Sequence, residues 1–181
     1  MAGPQAWGGW LAAALMVCSS PLWGQTPAEA AAAVPSRRLV PFTLADQYGT
    51  NHVIRLPLPR LTFITVADKS GAAEVNAWVN PLHLLYGRRL DILGVANVSA
   101  APRWFQGEVR RHFRRNYKHP VLLDWEGKVT ASLGASQAAI TVILALPDGS
   151  VIYQHHGPAT APALERLLQT VGKVLQQQPG N

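Results

Sequence analysis

Few residues in this 181-residue chain combine the type and spacing that chemistry needs. The single cysteine is Cys18, close to the N-terminus. Beyond it no thiol exists for disulfide exchange, thiolate catalysis or cysteine metal ligation. Ser70-Gly71 precedes an apolar-periodic stretch, which places a hydroxyl at a predicted helix N-terminus. Such a serine serves as a nucleophile, as a ligand-binding group, or as an N-cap contributing about 0.5–2 kcal/mol. No histidine lies nearby in sequence to activate it, so the cap is the expected role. Asp68 and Lys69 beside it read as solvent-facing loop charges. If this corner binds anything, Asp68, Lys69 and Ser70 are the residues to do it.

The histidines are His52, His83, His112, His119, His155 and His156. None shares the i, i+3 or i, i+4 spacing of a helical metal pair, and His155 and His156 point to opposite faces of a strand. Neither a metal site nor a cofactor is expected. The strongest compositional signal is basic: Arg103, Arg110, Arg111, Arg114, Arg115 and Lys118 stand against Glu108 alone. At 100° per residue Arg110, Arg111, Arg114, Arg115 and Lys118 cover one helix face, opposite Phe105, Val109 and Phe113. That stripe supplies most of the formal net charge of +6. It suits phosphates, anionic lipid headgroups or an acidic protein, or it is simply a solvated outer face.

These residues need a frame, and the chain's periodicities supply one. Trp7 to Val17 is an apolar run of signal-peptide length, too short to span a bilayer, although no Lys or Arg precedes it. Residues 1–24 are read as a signal peptide, 25–36 as an Ala/Pro-rich linker, 37–176 as one domain and 177–181 as a flexible tail. Within the domain, Leu39 to Leu44 and Val53 to Leu56 are short strands around an Asp46-Gln47-Tyr48-Gly49 turn. Leu61 to Val66 and Ile92 to Val98 are apolar runs typical of strands buried on both faces, and Val121 to Leu123 is a shorter one.

Between them, Val75, Trp78, Val79, Leu82 and Leu85 mark one face of a helix that Pro81 is expected to kink or divide. A second helix is predicted over 102–118. Ile140 to Leu146 and Ser150 to His155 form a hairpin through Pro147-Asp148-Gly149, and Ala161 to Leu175 is an amphipathic helix. Of the tryptophans, Trp78 reads as core, and Trp104 and Trp125 as partly buried. The order β-β-β-α-β-α-β-β-β-α implies an α/β fold, with a mixed central sheet flanked by helices on both faces.

From Leu61 onward this order resembles the thioredoxin fold. Pro41-Phe42-Thr43-Leu44-Ala45-Asp46-Gln47-Tyr48-Gly49 is similar to the F-x-L-x-D-x-x-G opening of exported thiol-oxidoreductases of the ResA/TlpA type and of peroxiredoxins. Asp148-Gly149, Val151 and Gly157 are similar to the ending of those families. The likeness covers residues 40–176. It implies a dithiol at the N-terminus of the helix after the central strand, yet Ser70 and Ala73 stand at those two positions. The facing cis-proline position is held by Ile140. Ala67 to Ala77 and the hairpin from Val142 to Gly157 are closest to the YtfJ-like periplasmic proteins, which have the fold without the dithiol.

The resulting expectation is an exported, periplasmic binding or accessory module without thiol chemistry. Its partner would be an acidic protein or an anionic membrane surface, not nucleic acid. The alternative is a thiol-disulfide oxidoreductase or peroxiredoxin-like antioxidant enzyme with a non-standard site.

Overall fold

The structure is a computed structural model that describes residues 37–177. The leader and linker readings, Cys18, and residues 178–181 of the tail lie outside the described residues.

A five-stranded sheet forms the centre, in the order β5-β4-β3-β6-β7. Its middle strand β3 (Thr62–Ala67) is buried at all six positions, as its β-branched, apolar sequence predicts. β4 (Asp91–Asn97) runs parallel to β3, and β5 (Val121–Asp124) runs parallel to β4. β6 (Ile140–Ala145) and β7 (Val151–His156) add antiparallel strands on the other side. Parallel neighbours require crossovers, and helices α1 (Val75–Tyr86) and α2 (Gln106–Asn116) provide them. The antiparallel pair needs only the turn at Pro147-Asp148-Gly149, where Gly149 holds φ +87°.

Side-chain alternation divides the core between two faces. Leu61, Phe63, Val142 and Leu144 pack against Trp78 and Leu82 of α1 and against Leu167 and Val171 of α4 (Ala161–Gln177). Ala96, Val121 and Leu123 continue that face toward the β5 edge and receive Phe113 of α2. On the opposite face, Ile64, Val66, Leu122 and Ile143 are covered by Leu39, Phe42, Leu44 and Ile54. Those covering residues come from the N-terminal segment and from a small hairpin, β1 (Phe42–Ala45) and β2 (Asn51–Ile54), antiparallel to each other. Val129 of the short α3 (Lys128–Ser132) and the adjoining Leu133 complete the layer. Helices therefore lie on both faces, three long ones on the first and one short one on the second.

Pro81 does not divide α1, which runs unbroken from Val75 to Tyr86. The proline leaves the Ala77 carbonyl without its helical donor, but Ala77 is exposed and water can serve it. Leu85 is not on the inner face either; it is 60% exposed. Tyr86 takes that place, packing against the core and donating its hydroxyl to the Leu168 carbonyl at 2.8 Å. The second helix is shorter than predicted: a 3-10 turn (Arg103–Phe105) leads into α2, and Lys118 lies beyond its end.

Candidate functional site

The corner where the resemblance places a dithiol lies at the C-terminal end of β3. Ala67 pairs with Ile140 across the antiparallel ladder, so Ile140 does face this corner. The Asp68 N–H then donates to the Ala139 carbonyl at 3.0 Å, which joins the loop after β3 to the loop before β6. Oδ1 of Asp68 accepts three hydrogen bonds: from the Ser70 N–H at 2.8 Å, the Ser70 hydroxyl at 2.6 Å and the Gly71 N–H at 2.9 Å. The capping oxygen is thus Asp68, not Ser70. Asp68 is half-buried rather than a free loop charge, because its short carboxylate can fold back onto the two N–H groups that follow it.

Burial pushes the Asp68 carboxyl up, but its hydrogen bonds from Ser70 and Gly71 outweigh that and hold it below the ordinary value. Ser70 is exposed, with its proton committed to a carboxylate, and Lys69 and Ala73 are exposed beside it. Gly71 is buried directly under the Ala139 backbone, where a Cβ would run into the carbonyl. Ile140 is buried in the core and, among the described residues, only the Leu56-Pro57 peptide is cis. A thiolate at position 70 would face the Asp68 carboxylate, which would raise its pKa. An unopposed helix N-terminus does the reverse. The arrangement suits a structural turn, with no activated nucleophile in it.

Two histidines reach the same end of the sheet from β7. His155 lies against Trp78, ring centroids 5.2 Å apart, and burial pushes its pKa down, toward the neutral form. Nδ1 of His156 is 2.9 Å from the Thr141 hydroxyl. Among the described hydrogen bonds Ser70 has Asp68 as its side-chain partner, and neither histidine joins it. No group of three or more His, Cys, Asp or Glu side chains placed to hold a metal occurs among the described residues.

The basic residues divide into two groups. Arg111, Arg114, Arg115 and Lys118 are exposed. Arg111 pairs with Glu108, whereas Arg114, Arg115 and Lys118 have no carboxylate within 4.0 Å among the described residues. Arg110 leaves the predicted stripe. It sits on the flank of α2, and its long side chain reaches Trp125 after β5, with the guanidinium carbon 5.8 Å from the ring centroid. Its Nε is buried and so is Nε1 of Trp125, neither with a hydrogen-bond partner.

Trp104 corrects a further expectation. It is 83% exposed and meets Phe105 edge-on, with ring centroids 5.5 Å apart. Heptad-like spacing gave no warning, because the 3-10 turn rotates residues 103–105 out of the α-helical phase.

The sequence motif Asp46-Gln47 turns out to be structural. Asp46 accepts from the Tyr48 N–H, the Thr50 N–H and His52 Nε2 at 2.8–2.9 Å. Gln47 is fully buried, donating to the His119 carbonyl and accepting from the Val121 N–H, both at 2.8 Å. This clamp fixes the hairpin to the edge strand β5. An aspartate-glycine turn was legible, but nothing in its local pattern marked Gln47 as buried.

No family model matches the sequence, and no curated protein does either. Solved structures do. A protein named as a thiol:disulfide interchange protein DsbE from Chlorobium tepidum superposes with a TM-score of 0.61 at 16% identity, covering 77% of this chain and 96% of that one. The pneumococcal exposed lipoprotein thioredoxin from Streptococcus pneumoniae gives 0.58 at 16% identity, covering 72% and 99%. StoA from Bacillus subtilis gives 0.52 at 16% identity, covering 72% and 96%. With the mixed sheet and its helices, these likenesses establish that residues 37–177 have a thioredoxin-like α/β fold.

Proposed function

We propose that this chain is an exported thioredoxin-fold binding module of the cell envelope, without thiol chemistry, whose working surface is the outer face of α2. The observation that carries the reading is that Arg114, Arg115 and Lys118 stand exposed without a carboxylate partner within 4.0 Å among the described residues. One face that keeps several cations without a local carboxylate attracts an anionic surface at range.

The other end of the fold supports the same reading from the opposite side. Ser70 and Ala73 occupy the dithiol positions, and the backbone of Ala139 closes over Gly71. The residues from Ala67 to Ala77 and from Val142 to Gly157 resemble the YtfJ-like periplasmic members of the fold, which lack the dithiol. An envelope location agrees with the apolar leader at 7–17, and with two structural neighbours, one an exposed lipoprotein and one a secreted disulfide oxidoreductase.

Retention on immobilised polyglutamate tests the surface. The full chain is expected to bind at low salt and elute at high salt. A variant carrying Arg111→Glu, Arg114→Glu, Arg115→Glu and Lys118→Glu is expected to pass through unretained. Equal retention of both proteins, or of neither, would overturn the assignment of α2 as the binding surface.

A further inference from the structure

Trp104 changes what the basic face can be. A tryptophan 83% exposed, stacked edge-on with a 42%-exposed phenylalanine, is a large apolar surface in water with no cover among the described residues. It sits at the N-terminal end of α2. Within α2, Arg111 and Arg115 are four residues apart and fall along one line, and the turn that carries Trp104 and Phe105 leads directly into that helix. Arg114 flanks that line, and Lys118 follows two residues beyond the end of α2. An exposed aromatic pair at the N-terminal end of α2 is therefore followed along the chain by exposed cations.

We infer that this face docks on an anionic lipid bilayer, with Trp104 and Phe105 entering the headgroup region and Arg114, Arg115 and Lys118 lying over lipid phosphates. The inference rests on the proposed α2 surface and names its partner. Charge complementarity selects an anionic occupant. The aromatic pair then favours a membrane, because an indole settles at the boundary between water and hydrocarbon, with its apolar body buried and its N–H wet. Guanidinium groups add planar, multidentate donors to phosphate. No described helix is long and apolar enough to cross a membrane, so the contact would be peripheral.

Co-sedimentation of the full chain with vesicles tests the inference, using phosphatidylcholine alone and phosphatidylcholine mixed with phosphatidylglycerol. Residues 1–24 are the same in every variant, so any binding through them is common to all of them. The wild type is expected to prefer the anionic vesicles, and high salt should remove the preference. Arg114→Glu, Arg115→Glu and Lys118→Glu together should abolish it, since each cation contributes about fivefold at an anionic surface. Trp104→Ala should weaken binding to anionic vesicles about tenfold while keeping its salt dependence, and Trp104→Phe should restore most of it. Thermal melts of the variants, all at exposed positions, check that the fold is intact.

Equal binding to both vesicle types, or full anionic-vesicle binding by Trp104→Ala, would overturn the inference. Charge-dependent retention on polyglutamate without vesicle binding would overturn it too, while leaving the α2 surface standing with an acidic protein as its partner. Failure in both formats would remove both.

Discussion

At the scale of single residues, the corner after β3 is organised by a carboxylate. Asp68 gathers the two N–H groups and the hydroxyl that follow it, and Asp46 does the same for the turn ahead of β2. Both carboxyls are pushed up by burial and brought below the ordinary range by hydrogen bonds, to Asp46 from His52, Thr50 and Tyr48. The folded-state pKa is therefore lower than the unfolded one. Such a group contributes its full stability above the unfolded value near 3.8 and loses it as pH falls through the folded value. Asp46→Asn, at a buried position, should lower stability at neutral pH by about 1–3 kcal/mol. It should also flatten the fall in urea midpoint between about pH 5 and about pH 3. An unchanged acid slope in that variant would contradict the assignment. The serine and both aspartates were visible in the sequence, but which oxygen did the capping was not. Ser and Asp both cap helices, and only the backbone path decides which one reaches the free N–H groups.

Among the elements, the sequence was most legible where a period ran long. The buried strands, the inner face of α4 and the Pro147–Gly149 turn follow from alternation, helical spacing and turn chemistry. α3 was not foreseen, because five residues give no period to read. It begins after Gly127, held at φ +69°, and is anchored by the buried Asp124, whose Oδ2 accepts from the Thr130 N–H and hydroxyl at 2.7 and 2.8 Å. The inner face of α1 was legible through Trp78 and Leu82 and then drifted, since Leu85 lies about 80° from Val75 and Tyr86 only about 20°. Leu82→Ala should accordingly cost about 2–5 kcal/mol, and Leu85→Ala no more than about 0.5 kcal/mol. Chemical denaturation of the two variants checks this, and similar losses in both would mean that the helix face has been misassigned.

For the whole molecule, one end of the sheet carries Ser70, Ala73 and Ile140 where the resemblance implies a dithiol and its facing proline, while α2 presents exposed cations. The solved structures superpose over most of their own length at 16% identity, which reflects a shared arrangement of sheet and helices rather than shared side chains. Net charge was legible from composition and its clustering from spacing. The inward turn of Arg110 and the outward turn of Trp104 were not, because both depend on what lies beyond α2: the ring of Trp125 in the one case and a 3-10 turn in the other. The stripe read as five cations is therefore Arg111, Arg114 and Arg115 on α2, with Lys118 exposed just beyond its end and Arg111 shared with Glu108.

The proposed binding surface is α2 rather than the Ser70 corner. A residue-resolved amide NMR titration with polyglutamate separates the two. Shifts are expected to centre on Arg111, Arg114, Arg115 and Lys118 and to disappear at high salt, with Ser70, Gly71 and Ile140 unmoved. Shifts centred on Asp68, Ser70 and Ile140, with α2 silent, would contradict it.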